Sequence, residues 1–259
     1  MDEILHHPTA IISKKAKLGD NVRIGPFSII NDDVEIGDNT EIRSSVVIAD
    51  GTGIGKDCLI CTGVVIGTEP QDLKFAGEKT IVTIGDRTVI REYVTINRAT
   101  KVTGETKVGN DCLIMTYCHI AHDCKLGDGV IIANTTQLAG HVHIEDFVTI
   151  GGVVKIHQFC CIGMYSMIGA DVKLVKDVPP FALVGSLPPK IDGINKIGLK
   201  RHGFSDELIK EVDAFYRTVF FSGLNNHDGI AKFRERNHIL PEIMHCIEFI
   251  ENSQRGVYR

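Results

Sequence analysis

No stretch of the 259 residues comes near the ~20 consecutive apolar residues of a membrane span. The excess of positive charge that marks a nucleic-acid binder is missing too. Lys and Arg number 28 against 33 Asp and Glu, for a net charge of -5. Met1 to Ala10, with Asp2, Glu3, His6 and Pro8, has no apolar signal-peptide core. These absences predict a cytoplasmic protein with no membrane span and no nucleic-acid partner. A hydrophobic content of 43% is enough for a substantial core in one or two domains.

What the chain does have is a period. Stepping by six from Ile12 through Ile24, Ile36, Ile48, Ile60 and Ile66, then from Ile84 through Val102, Ile114, Ile132 and Ile156 to Leu174, gives Ile, Leu or Val at 26 positions. A small or β-branched residue stands two places before every one of them, and Gly follows in 11. A hexapeptide period predicts a parallel β-helix, three hexapeptides to a coil of about 18 residues. The aliphatic and its small neighbour face inward, and residues one coil apart lie above one another. Gly after the aliphatic suggests a corner with positive φ, where Asn31 and Asn97 are also tolerated. Cys58, Cys112, Cys118, Cys124 and Cys160 fall at the small inward position, and Cys61 and Cys161 just after the aliphatic. They read as buried hydrophobes, not as disulfides or metal ligands.

The frame breaks at Asp72 and Glu78, so Thr68 to Thr80 is expected to loop out. A softer break falls near Thr100 to Thr106, where Val102 keeps the period. Past Leu174 the period stops, and Pro179-Pro180 and Pro188-Pro189 end regular pairing. Helices are predicted near 206–222, 228–237 and 241–252, with Ser205 as the first cap. The domains are therefore residues 1–190, a β-helix, and 191–259, a helical tail.

Stacking gathers polar residues on one edge. His119, His122, Asp123, His141, His157 and Gln158 fall on successive coils, with Lys155, Lys173 and Lys176 above and His143 on the following strand. Asp123 can orient His122 as a general base. Gly140, one coil above, offers an unencumbered N–H to a developing oxyanion. Histidines on adjacent coils also permit a zinc site of the γ-carbonic-anhydrase kind, which needs three converging imidazoles. The neighbouring carboxylate and the long loop favour a large organic substrate, with no metal and no cofactor.

The run His119-Ile-Ala-His122-Asp123-Cys124, with Leu138-Ala-Gly140-His141 and His157-Gln158-Phe159-Cys160, closely resembles the acyl-[acyl-carrier-protein]–UDP-N-acetylglucosamine O-acyltransferase family. The match extends to Pro70-Gln-Asp-Leu-Lys-Phe-Ala-Gly77, Arg91-Glu92, Asp177-Val-Pro-Pro180 and Gly198-Leu-Lys-Arg201, so it covers essentially the whole chain. The resemblance implies a mainly β fold, a left-handed parallel β-helix with a C-terminal helical domain. It implies the first step of lipid A synthesis: transfer of a 3-hydroxyacyl chain from acyl carrier protein to the 3-hydroxyl of UDP-N-acetylglucosamine. His122 would be the base, Asp123 its orienting group and the Gly140 amide the oxyanion donor. Asp72, Lys74, His119 and His141 would position the sugar and diphosphate. His157, Gln158, Asn195 and Arg201 would hold the nucleotide or the donor. The family works as a homotrimer with sites between neighbouring solenoids.

Two departures stand out. Arg201-His202 replaces a pair of arginines, which implies that one phosphate contact is weaker or pH-dependent. Asn195-Lys-Ile197-Gly lacks an acid found in many members three residues after the Asn. A family glycine that sets acyl length is matched by Ala170, with Met167 close in sequence, which implies a donor of intermediate length. Two other readings stay open on the residues alone. A sister enzyme could N-acylate a 3-amino UDP-sugar with the same machinery, and a non-enzymatic solenoid would carry the repeat without the histidine edge.

Overall fold

The computed structural model describes residues 5–236 and 238–259. Each hexapeptide yields one short strand and one turn, and the strands stack into three sheets of nine, eight and ten strands, parallel except for the last strand of the third. The first face starts at Ile11–Ile12, the second at Lys17–Leu18 and the third at Arg23–Ile24. Inward aliphatics stack in register within each face. On the third face Ile42, Ile60, Ile90, Ile114, Ile132, Ile150 and Ile168 form one ladder, each at most 1% exposed. Most hydroxyls among the small inward residues are paired: Ser28 Oγ donates to the Arg43 carbonyl at 2.7 Å, and Thr136 Oγ1 to that of Gly151 at 2.8 Å, whereas the buried Thr52 and Ser166 hydroxyls have no partner among the described residues. Such pairing is what makes a buried hydroxyl tolerable. The cysteines are free, and all but Cys161 are buried. Burial pushes the Cys112 and Cys118 thiols up to about 11 and that of Cys124 up to about 12.

Apart from Gly67, the glycines after the aliphatic do not have the positive φ that the period suggested. Positive φ falls three residues after the aliphatic, at Asn21, Asn39, Tyr93, Tyr117, Asp123, His141 and Phe159. Gly37, Gly109 and Gly127 lie outside the left-handed region, as do Asn31 and Asn97. They are small because the next coil comes too close for a side chain. A Cβ on Gly37 would lie 2.7 Å from the Gly55 carbonyl carbon, and one on Gly109 2.3 Å from the Gly127 oxygen.

Val102 is a second correction. Paired residues are 18 apart in most coils, but Ile54 pairs with Ile84 and Thr95 with His119, separations of 30 and 24. The surplus sits in two loops, between Val65–Thr68 and Ile81–Ile84 and between Thr95–Asn97 and Glu105–Val108. Val102 belongs to the second loop and is 71% exposed. Its place in the period is a coincidence of a six-residue insertion. Asn97 serves the first loop, its Nδ2 donating to Thr68 Oγ1 and the Glu69 carbonyl, both at 3.0 Å.

The solenoid ends at Ala182–Val184, which Gly193–Ile194 joins antiparallel. Four helices follow: α1 Lys196–Arg201, α2 Asp206–Phe220, α3 Asn226–Arg234 and α4 Pro241–Asn252. The sequence reading missed the short α1, and Asn237 of the expected 228–237 helix lies outside the described residues. Ser205 caps α2 by accepting from Leu208 N. Acids in the first turn favour that end electrostatically. Tyr216 of α2 donates to the Pro180 carbonyl at 2.5 Å, and Ser253, just past α4, to Asp177 at 2.6 Å. Together they hold the tail on the top coil.

Candidate functional site

Both inserted loops leave the solenoid where the first face turns into the second. One coil higher, the same edge carries Ala121–Cys124 between His119–Ile120 and Lys125–Leu126. Above these stand Gly140 and His141, then His157, Gln158 and Phe159. The register that the sequence predicts is observed: His119 pairs with Gln137, Gln137 with Lys155 and Lys155 with Lys173.

His122 is 9% exposed and Asp123 5%. The His122 Nδ1 lies 2.7 Å from Asp123 Oδ2. An ionised carboxylate only accepts, so Nδ1 carries the proton and Nε2 is left with a free lone pair. Burial would raise the Asp123 pKa, yet hydrogen bonds from Thr103, His122 and Thr100 outweigh it and hold the carboxyl below its ordinary value. Gly140 lies against the imidazole: a Cβ there would sit 2.5 Å from His122 Cε1 and 2.7 Å from Nε2. Its carbonyl accepts from Phe159 N, while its N–H meets no acceptor among the described residues. The His122 ring and the Gly140 backbone are thus in close contact.

The flanking histidines are neutral donors or acceptors more than cations. His119 bonds to Thr95 Oγ1 at 2.7 Å, and burial, assisted by the nearby His122, lowers its pKa. His141 stacks on Phe159 at 4.6 Å and meets His122 edge-on at 5.2 Å. Burial lowers its pKa, opposed by Asp123 and by Asp72 of the first loop. Asp72 therefore reaches this edge, with its side chain accepting from Lys74 N at 2.9 Å. His157 and Gln158 are exposed at the top of the edge. His143 points out of the second face, between Lys125 and Cys161, and is not part of the cluster.

The zinc alternative finds three ligand atoms within 4.8 Å, from His122, Asp123 and His141. They are two imidazoles and a carboxylate, not three imidazoles. His122 Nδ1 and Asp123 Oδ2 are moreover joined to each other at 2.7 Å. The set fits an acid–base pair better than a metal.

The remaining residues lie elsewhere in the chain. His202 packs on Phe147 and Tyr165, at 5.1 and 5.2 Å, where the second face turns into the third. Arg201 precedes it and is exposed. Asn195 caps α1 by accepting from Gly198 N and donates to the Tyr165 carbonyl at 2.9 Å. Met167 lies on the third face and Ala170 is exposed just after it. Arg217 pairs with Asp213 at 2.9 Å. Arg255 reaches the lysine edge, donating to the Val175 carbonyl at 3.0 Å. The sequence reading also missed Thr95, Thr100 and Thr103. The loss of period around Thr100 was their only trace.

Residues 177–258 match the family profile described as Udp N-acetylglucosamine O-acyltransferase, Domain 2. Residues 15–50 and 105–140 match Bacterial transferase hexapeptide (six repeats). An acyl-[acyl-carrier-protein]–UDP-N-acetylglucosamine O-acyltransferase of Chlorobium phaeobacteroides is 57% identical over 251 residues, 96% of this chain and 95% of that one. The enzyme of the same name from Syntrophobacter fumaroxidans is 46% identical over 98% of this chain and 99% of its own length. The crystal structure of a UDP-N-acetylglucosamine acyltransferase from Bacteroides fragilis 9343 superposes with a TM-score of 0.96 at 45% identity, covering 98% of this chain and 99% of that chain. The solenoid is the left-handed β-helix of those structures, and the chain belongs to the acyl-[acyl-carrier-protein]–UDP-N-acetylglucosamine O-acyltransferase family.

Proposed function

We propose that the chain transfers a 3-hydroxyacyl group from acyl carrier protein to the 3-hydroxyl of UDP-N-acetylglucosamine, with His122 as general base. The observation that carries this reading is the buried His122–Asp123 pair, with Nε2 facing Gly140. Nε2 takes the hydroxyl proton as the sugar oxygen attacks the thioester carbon. The carbonyl oxygen becomes an oxyanion beside the Gly140 N–H. Collapse forms the ester and breaks the C–S bond, and the imidazolium returns its proton to the leaving thiolate. Asp123 holds the ring and stabilises the imidazolium throughout. The substrates place the reaction in the cytoplasm.

The working unit in this reading is a homotrimer. Part of the outward column on each of two faces is aliphatic: Ile11, Ile29, Val47 and Val65 on the first, before it turns polar at Thr95 and His119, and Leu59, Val89, Leu113 and Ile131 on the third, between Glu41 and Thr149. The edge between those faces bears Phe27, Tyr93 and Tyr117, each more than half exposed. The second face carries Lys17, Glu35, Lys107 and Lys125 instead. Two apolar faces meeting at an apolar edge suit a closed ring of copies, each first face against the next copy's third face. That packing brings Arg201, His202 and Met167 of one copy toward His122 of the next.

The test is turnover of 3-hydroxyacyl carrier-protein thioesters by wild type and His122→Ala, with UDP-N-acetylglucosamine and its 3-amino analogue as acceptors. The base assignment predicts a fall in kcat of roughly 10² to 10⁴. Near wild-type turnover by a folded variant overturns it, and preference for the amine moves the chain to the N-acylating class.

A further inference from the structure

The coil from Ile84 to Val108 spans 24 residues, whereas the coil from Leu126 to Ile144 spans 18. The surplus lies in residues 98–104, one coil below His122, and it turns four donors onto one carboxylate. Thr100 N lies 3.2 Å from each Asp123 oxygen, and Thr100 Oγ1 donates to Oδ2 at 2.8 Å. Thr103 N donates to Oδ1 at 3.2 Å, and the Thr103 hydroxyl closes on the same oxygen. That hydroxyl also lies 3.0 Å from the Glu105 carbonyl. It has one proton, and the charged oxygen is the stronger acceptor. With His122 Nδ1 added, the Asp123 side chain, fully removed from solvent, has its lone pairs occupied.

We propose that the inserted hexad is a carboxylate clamp, in which Thr100 and Thr103 are positioning residues that keep Asp123 ionised and thereby fix the tautomer of His122. The inference rests on His122 being the base.

The physical need is specific. A carboxyl buried without donors prefers its neutral form. A neutral Asp123 can donate to His122 Nδ1 and leave the ring proton on Nε2, where it blocks proton abstraction. The two backbone N–H groups supply only the 3.2 Å contacts, so apart from His122 the hydroxyls supply the short bonds. The other titratable groups around the pair are His141, 3.7 Å from Asp123, His119 beside His122, and Asp72 near His141. None of them can donate a second short bond to Asp123 in its present place.

The clamp is tested with Thr100→Val, Thr103→Val, the double variant and the two Thr→Ser variants, all as full-length protein. Three quantities are read: kcat against KM for UDP-N-acetylglucosamine, the acid limb of the kcat profile, and the ¹⁵N shifts of the His122 ring. The double variant is expected to lose roughly 10²-fold in kcat, the scale of a mispositioned catalytic group, with KM nearly unchanged. Its acid limb moves to higher pH, because the one-proton state of the pair gains the neutral-acid form. The Nδ1–H tautomer fraction falls, and Ser at both positions restores all three readouts. A kcat loss with an unmoved limb and unmoved tautomer overturns the clamp and leaves only a structural role. If the double variant does not fold, the single valine variants carry the same readouts and the same criterion. His122→Ala separates the two ideas. If it keeps turnover, the base reading fails. If it is inactive while the valine variants keep the wild-type limb and tautomer, only the clamp fails.

Discussion

Gly140→Ala is the smallest perturbation that strikes the proposed chemistry. The Gly140 backbone lies outside the left-handed region, so alanine fits its conformation without strain. The added methyl is the whole effect. It would stand 2.5 Å from His122 Cε1, 2.7 Å from Nε2 and 3.1 Å from Nδ1. Carbon–carbon contacts settle at about 3.5–4.0 Å, so the ring has to retreat by roughly 1 Å or more. Its 2.7 Å bond to Asp123 then stretches past the range of a hydrogen bond. The methyl also covers Nε2 on the side where the substrate hydroxyl must arrive. A displacement of this size costs about 10² in rate by misorientation alone, and loss of the base altogether about 10² to 10⁴. We expect kcat to fall within that range. Overpacking costs about 1–3 kcal/mol of stability, a modest shift in melting temperature for a core of this size. The assay is release of carrier-protein thiol under saturating UDP-N-acetylglucosamine, alongside thermal melting. A folded Gly140→Ala protein within a few-fold of wild type would refute the reasoning, because the placement of the ring against Gly140 could then not matter.

Three further predictions follow from separate parts of the molecule. His245 of α4 is bonded to Glu145 at 2.9 Å, and that bond raises its pKa against burial, with Glu248 adding in the same direction. A raised pKa stabilises the fold below the unfolded value of about 6.5 and ceases to do so as pH rises through the folded value; Glu145→Gln should therefore lower the melting temperature at pH 6 and much less at pH 9, and an equal loss at both would remove the ion pair from the account. Charge reversal of Lys173 and Lys176, both exposed, should raise KM for the acidic carrier-protein donor and flatten its salt dependence; an unchanged KM places docking elsewhere. Ala170→Gly should move donor preference toward longer 3-hydroxyacyl chains, since a methyl is worth about 1–3 kcal/mol of discrimination in a slot; identical chain-length profiles would put the ruler at another residue such as Met167.

The solenoid was legible because its signal is redundant. Each inward aliphatic is reinforced by partners 18 residues away, so Ile132 and Ile150 argue for one another. The same redundancy concealed Val102, which satisfies the period while standing outside the core. Glycine misled for a related reason. Its abundance after the aliphatic was real, but the cause is close approach between coils, which a one-dimensional pattern does not distinguish from positive φ. His122, Asp123 and Gly140 could be found because stacking is arithmetic in an uninterrupted frame. Thr100 and Thr103 could not, because an irregular insertion has no register and its donors find Asp123 only in three dimensions. Asn195, Arg201 and His202 were matched by family likeness, and no spacing rule places them on a different edge from His122.

That separation of edges has a consequence for mixed populations. In the proposed ring, each junction draws His122 from one chain and Arg201 from the neighbour. A chain lacking His122 and a chain lacking Arg201 are each defective alone. Co-assembled, every mixed ring contains one junction where the intact half of each chain meets, so two inactive proteins complement one another. In a ring built this way a chain that lacks only one of the two residues disables one junction and spares the other two.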